Sequence, residues 1–196
     1  MKILMFSGGI DSTYLAWKLM KNKTPNLHLH HASIRNDADT CWKKQDEAME
    51  PILSYFKDRG FEFEYSESVF EMYGWNQVGY DSDLLLLIAQ KLAQNFDGEV
   101  QVLMGWNPTD MKRSCIDDRA RRGVTQNIWL ALIESARNRQ DIDKTLYFPL
   151  IEEGITKTEM MREIPQDLLF LTWSCRRSKD GTPCGRCHAC RDIANA

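Results

Sequence analysis

The sequence of 196 residues reads as an α/β protein with a doubly wound parallel sheet, and three features say so. Short apolar runs alternate with helical patterns, the order that parallel strands joined by crossover helices require. The first run passes straight into a Gly-Gly turn that opens a helix, as ligand-binding turns of such sheets do. No internal repeat, low-complexity tract or long Pro/Gly/Ser linker interrupts the alternation.

Residues 3–6 form a short apolar run that suits a buried strand. Residues 11–20 follow as a helix, with Tyr14, Leu15, Leu19 and Met20 at inward spacings. The stretch "NLHLHHASI", 26–34, is a second strand. Residues 40–59 carry Met49, Ile52, Leu53 and Phe56 on one helical face, and Pro51 should kink that helix or open a second segment. Alternation over 61–65 predicts a third strand. Residues 81–96 form a strongly apolar helix covered on most sides, 100–105 a fourth strand, and 125–137 another amphipathic helix. After Tyr147 the character changes. The expected division is a nucleotide-binding α/β domain over 1–150, with a helical and cysteine-rich segment over 151–196 packed on it.

Composition narrows the class. With 43% hydrophobic and 27% charged residues the chain should be globular. A net charge of −3 gives no global sign of a nucleic-acid binder, and no nucleic-acid partner is expected. Lys112, Arg113, Arg119, Arg121 and Arg122 cluster locally, but Asp110, Asp117 and Asp118 dilute them to a solvated face. The first strand begins at Lys2, which leaves no room for a signal peptide, and the apolar run 84–89 is too short to cross a bilayer. The expected setting is the cytoplasm, where thiols stay reduced, so the six cysteines call for metal or catalysis rather than disulfides.

Two motifs carry chemistry. Ser7, Gly8, Gly9, Ile10, Asp11 and Ser12 join a strand to a helix. Glycines let the backbone approach a ligand, and the N–H groups of the helix start point at an anion. Ser7, Ser12 and Thr13 add hydroxyls, and Asp11 either caps the helix or meets a magnesium ion through water. The loop fits neither the lysine-bearing phosphate loop nor G-x-G-x-x-G, so it predicts a nucleotide site of another type. The second motif is Cys175, Cys184, Cys187 and Cys190. Their spacing suits a closed four-thiolate site, zinc first and an iron–sulfur cluster second. Such a site has no open position, so its role is structural, and the neighbouring Arg176, Arg177, Lys179, Arg186 and Arg191 offset its charge. His188 is surplus to it, and Cys41 and Cys115 read as lone buried thiols, with a nucleophilic role for Cys115 as the alternative.

Between these motifs, Thr156 and Glu159 spell a capping box. Lys157 in that first turn opposes the helix dipole, so it is directed either at solvent or at a bound anion.

"FSGGIDST", residues 6–13, resembles the signature of the PP-loop ATP pyrophosphatases, which have the adenine nucleotide alpha hydrolase-like fold. The resemblance implies that Phe6, Ser7, Gly8, Gly9, Ile10, Asp11, Ser12 and Thr13 bind Mg-ATP, gripping the β- and γ-phosphates while AMP moves onto a substrate. Together with "FPLIEEGITKTEM" (148–160) and "TWSCRRSKDGTPCGRCHAC" (172–190), it is similar to the 7-cyano-7-deazaguanine synthase family of queuosine biosynthesis. That likeness implies a C–N ligase that turns 7-carboxy-7-deazaguanine and ammonia into a nitrile with ATP going to AMP and pyrophosphate. Asp11, Ser12 and Lys157 are then the candidate catalytic residues, and Cys175, Cys184, Cys187 and Cys190 the structural zinc ligands. A homodimer is compatible with this reading.

The middle loops depart from that family. "HHASIRND", "VGYDSD" and "NPTDMKRSCIDDRARR" stand where its substrate-side stretches are expected. Placement alone nominates Asp81, Asp83, Arg113 and Asp117 as acceptor contacts. Two other readings stay open: a tRNA-modifying enzyme of the thiolase or lysidine type, and a non-catalytic nucleotide-binding module.

Overall fold

The computed structural model describes residues 1–37, 41–74, 81–108, 118–135, 143–178 and 181–196. Five strands, β1 (Lys2–Met5), β2 (Leu27–Asn36), β3 (Glu64–Met72), β4 (Val100–Met104) and β5 (Lys144–Tyr147), form one sheet in the order β3-β2-β1-β4-β5. Every adjacent pair is parallel. The helices are α1 (Ile10–Lys21), α2 (Cys41–Asp58), α3 (Asp81–Ala93), α4 (Asp118–Ser135), α5 (Pro149–Glu152), α6 (Lys157–Glu163), α7 (Gln166–Leu169) and α8 (His188–Ala194).

The pleat divides β1 between two cores. Leu4 and Phe6 turn to the face that buries Tyr14 and Leu15 of α1 and Ile52 and Phe56 of α2. Ile3 and Met5 turn to the face that buries Leu86 and Ala89 of α3 and Trp129 of α4. A strand sealed on both sides must be apolar throughout, which is why residues 3–6 contain no polar side chain. The sheet is therefore doubly wound, as expected.

Several boundaries differ from the sequence reading. Phe61 and Phe63 imitate strand alternation, but both rings stack edge-on against Phe56, and β3 begins at Glu64. Pro51 does not open a second segment. It lies inside α2 at an exposed position, where the carbonyl it leaves unbonded can reach water. Strand β5 has no counterpart in the sequence reading. Among the described residues no helix is long and apolar enough to cross a membrane.

The chain runs outward from β1 through β2 to β3, then returns to the far side of β1 as β4. Ligands of such sheets gather where the winding reverses, beyond the carboxyl ends of the strands on either side. The Gly-Gly turn leaves β1 at that crevice. Gly105, just past β4, closes the other wall: a Cβ there would sit 3.0 Å from Ser12 Cα and 3.1 Å from Ser12 N.

Candidate nucleotide site and its four-cysteine tail

The turn after β1 is held by its own serines. Ser7 N donates to Ser12 Oγ at 3.2 Å, the two hydroxyls share a hydrogen bond at 3.1 Å, and Ser12 Oγ donates to Gly9 O at 3.3 Å. Gly8 has φ +70, a conformation that favours glycine, and its open side faces the terminal methyl of Met49. Gly9 is the N-cap of α1 without a side-chain cap, which corrects the capping role considered for Asp11. The first-turn N–H groups of α1 have no partners within the helix. Of these, Ile10 N donates to Ser174 Oγ at 3.1 Å. A hydroxyl has one proton to give and lone pairs to accept with, so Ser12 can redirect its proton from Gly9 O to an anion while still accepting from Ser7 N.

Asp11 is occupied instead by a cation. Lys157 Nζ donates to its Oδ1 at 2.6 Å and its Oδ2 at 2.5 Å, and Asn107 Nδ2 donates to Oδ1 at 2.8 Å. Lys157 is only 7% exposed, so it is not the solvated lysine that the sequence permitted. The helix that carries it is fixed at both ends. Thr156 and Glu159 form the predicted capping box, and Tyr14 Oη donates to Glu163 Oε2 at 2.6 Å. The Thr156 backbone N–H holds the Glu159 carboxyl below its ordinary pKa. Burial, with the bond to Glu163, pushes the Tyr14 phenol well above its usual range. A lysine opposing the dipole of α6 is tolerated because Asp11 neutralises it.

The tail reaches the same turn. Trp173 N donates to Gly8 O at 2.9 Å, and the Trp173 ring Nε1 donates to Cys175 O at 3.0 Å. Two residues thus separate the loop from the first thiol. The sulfurs of Cys175, Cys184, Cys187 and Cys190 all lie within 4.8 Å of one another. Cys184 N donates to Cys175 Sγ at 3.2 Å and Cys187 N to Cys184 Sγ at 3.3 Å. The backbone N–H groups of Arg186 and Cys187 bring the Cys184 thiol down to about 6, and burial raises Cys190 to about 12. A tetrahedral ion at a zinc–sulfur distance of about 2.3 Å sets its ligands about 3.8 Å apart. The sulfurs need only a small contraction to fit it. An iron–sulfur cube interposes a shell of irons and sulfides and needs a wider cage. The donor set and spacing therefore fit zinc. His188 is exposed and outside the group.

No protein-family model matches the chain, and no curated protein matches it in sequence. Solved structures do match. The chain shares its fold with the U34-tRNA thiolase NcsA from Methanococcus maripaludis, a structure that contains a [4Fe-4S] cluster, at a TM-score of 0.57 and 16% identity. The alignment covers 100% of this chain and 65% of the thiolase, so the chain spans just under two thirds of that protein's length.

The structure brings Ser7–Ser12, Lys157 and the segment leading into the cysteines to one place, although they are far apart in sequence. Phe6, Ile10 and Thr13 stand beside that group but are only 1%, 3% and 0% exposed; Phe6 takes part through its carbonyl, and the Thr13 hydroxyl has no partner. Cys41 is buried, as a lone thiol was expected to be. Asp81 opens α3 and Asp83 is exposed on it. Arg113, Cys115 and Asp117 lie outside the described residues.

Sequence reasoning missed Asn107 and a network on the other side of the loop. His31 Nδ1 donates to Phe6 O at 3.0 Å, and its Nε2 lies 2.9 Å from Asp46 Oδ1. Ser33 Oγ donates to Asp46 Oδ2 at 2.8 Å, and Arg35 adds a contact at 3.4 Å. An asparagine just past β4 was a legible signal for the crevice; the His31–Asp46 pairing needs the register of β2 against α2.

Proposed function

We propose that the chain is an enzyme of the PP-loop type that moves AMP from ATP onto an oxygen of its substrate and releases pyrophosphate. The observation that carries this reading is the buried Lys157 joined to Asp11 on the Gly-Gly loop. It sets a lysine and a carboxylate beside a cradle of N–H and hydroxyl donors at the sheet's switch point, the equipment for stabilising charge on a departing pyrophosphate. Asp11 is the hard oxygen ligand suited to magnesium, which supplies charge neutralisation when bound. Ser7 and Ser12 hold the β- and γ-phosphates, Lys157 follows the developing negative charge, and Asn107 keeps Asp11 aligned. The substrate oxygen attacks the α-phosphorus, and the bond from that phosphorus to the pyrophosphate oxygen breaks. The four cysteines hold a structural zinc ion that anchors residues 173–174 against the loop.

Two acceptors are in contention. The three resembling stretches support 7-carboxy-7-deazaguanine, whose acyl-AMP would lose AMP to ammonia, giving an amide whose oxygen a second ATP activates for dehydration to the nitrile. The shared fold with a U34-tRNA thiolase supports a tRNA base more than that carboxylate. ATP labelled at the α-phosphate, incubated with each acceptor, tests both. Labelled AMP is expected with one of them, whereas labelled ADP overturns the reaction class. AMP formed only with tRNA removes the deazaguanine reading, and AMP formed only with the carboxylate and ammonia removes the tRNA reading. Binding of ATP without turnover on either would leave a nucleotide-binding module.

A further inference from the structure

Phe6 lies between β1 and the Gly-Gly turn, and its two backbone groups are held in different ways. Phe6 N donates to His30 O at 2.8 Å, which carries the β1–β2 ladder one residue past β1. Its carbonyl goes to a side chain, accepting from His31 Nδ1 at 3.0 Å. That carbonyl and the Ser7 N–H are the two ends of one planar peptide unit, so fixing the direction of either fixes the other. Ser7 N donates to Ser12 Oγ at 3.2 Å, and Ser12 Oγ donates on to Gly9 O at 3.3 Å. One rigid amide therefore connects the His31 ring to a hydroxyl of the phosphate cradle.

The ring is held in turn. Its Nε2 lies 2.9 Å from Asp46 Oδ1, while Asp46 Oδ2 accepts from Ser33 Oγ at 2.8 Å and from Arg35 at 3.4 Å. Arg35 reaches on to Glu71 of β3 at 3.6 Å. Packing alone does not hold this chain of contacts. His31, Asp46 and Met49 all line a cavity of about 160 Å³, so on that side hydrogen bonds fix the polar pair. His31 is 3% exposed, too buried to exchange a lost partner for water without cost. Met49 follows Asp46 by three residues on the same face of α2, and its terminal methyl faces Gly8. One turn of α2 thus reaches the loop on both sides of Ser7, by a polar chain at Phe6 and an apolar contact at Gly8.

We infer that His31 and Asp46 are positioning residues of the nucleotide loop: they set the Phe6–Ser7 peptide, and with it the donors that meet the phosphates. Neither touches a phosphate; both act through Phe6. The inference rests on the ATP-binding reading above and deepens it.

Asparagine and glutamine separate the two contacts of His31, because their amide nitrogens stand in for Nδ1 and Nε2 respectively. His31→Asn keeps a donor for Phe6 O, and His31→Gln keeps one for Asp46. Residue-resolved hydrogen exchange on the ATP-free protein reads the loop directly. His31→Gln should speed exchange at Ser7 about tenfold, the worth of one hydrogen bond, and His31→Asn less than about threefold. Leu4, in the core beneath, should exchange as in the parent. Affinity for Mg-ATP should fall in the same order, about tenfold in His31→Gln and less than about threefold in His31→Asn. Equal exchange at Ser7 in the two variants overturns the inference. So does a rise that Leu4 shares, since a merely structural role would loosen the whole core. Asp46→Ala, which frees the ring at a more open position, covers the case of a His31→Gln chain that does not fold. It should speed Ser7 exchange about threefold or more, and an unchanged rate there overturns the inference equally. If the parent binds ATP and every variant binds it equally well, the inference fails and the proposed function stands. If the exchange pattern appears in a parent that binds no ATP, the proposed function fails and the lock on the loop stands.

Discussion

The two sides of the sheet's carboxyl rim are built in different ways. Beside β1 and β4 the chemistry is mostly backbone: a tight turn, a helix start and two serine hydroxyls, braced from outside by a tail 164 residues away. Beside β2 and β3 it is all side chain, a set of histidine, serine, arginine and carboxylate groups on alternate positions of two strands and one turn of α2. The first side depends on distant support, because a loop of glycines and serines has little packing of its own. The second is supported by the ladder beneath it. Taking away the tail should therefore damage one side and spare the other.

The largest effect is expected from the four thiols. Stripping the metal with a strong chelator, or Cys175→Ala, should release residues 173–174 from the loop. Structural zinc contributes heavily to the folding of small elements, so a loss of about 4 kcal/mol and a fall of about 10 °C in Tm are expected. ATP affinity should drop more than tenfold. Metal analysis should return zinc before treatment. Stripped protein that still binds ATP normally would show the two regions to be independent.

Next comes the buried ion pair. Asp11→Asn leaves Lys157 charged, 7% exposed and without its counter-charge, which costs about 3–5 kcal/mol when one member of a buried pair is lost. Lys157→Met should cost less, about 2 kcal/mol, because Asp11 is more open to water and keeps Asn107. Both should lower AMP formation about a hundredfold or more, in line with the loss of one charge-stabilising donor. Lys157→Arg should not restore it, since a planar fork cannot replace a compact ammonium there. Urea titration and product assays separate the two effects.

The same contrast decides what could be read from the sequence. The turn, the capping box and the C-x-x-C repeats are each contiguous, so their meaning survives without a fold. Core positions such as Met49, Ile52, Leu53 and Phe56 were legible from helical spacing. The third strand was legible but its bounds were not, because Phe61 and Phe63 alternate like a strand while filling the space around Phe56, and β3 runs from Glu64 to Met72. Lys157 was legible as an anomaly, but its partner is 146 residues away. His31 and Asp46 gave no sequence signal at all, since a histidine on a strand and an aspartate on a helix are ordinary until register sets them together.

The β2–β3 side also carries a pH dependence. His28 and His30 share the Ser66 hydroxyl at 2.6 and 2.7 Å, on the opposite sheet face from His31. Burial, with its two neighbouring histidines, lowers His30 from 6.5 to about 4. The unfolded chain therefore binds a proton between those values that the folded chain refuses. Stability is complete above about 6.5 and declines as pH falls toward 4, by about 2 kcal/mol after allowance for solvent screening. Melting curves across that window should flatten in His30→Asn, and an unchanged slope would assign the acid sensitivity elsewhere.

The smallest effect sharpens how the tail holds the loop. Trp173 grips Gly8 through its backbone N–H, which only a proline substitution removes, whereas Ser174 grips Ile10 through its hydroxyl. Ser174→Ala leaves the Ile10 N–H without its acceptor in a partly buried place, a cost of about 1 kcal/mol. Because that N–H belongs to the first turn of α1, the substitution also frees a donor for phosphate. Stability should fall, while ATP affinity changes less than threefold. Ser174→Thr, with its hydroxyl retained, should behave as the parent. A loss of ATP affinity in Ser174→Ala as large as that caused by stripping the metal would mean that the hydroxyl alone transmits the tail's support. Near-parental affinity would place that support in the Trp173 backbone bond, and the zinc-bound segment would then act on the loop as a splint, not as a ligand.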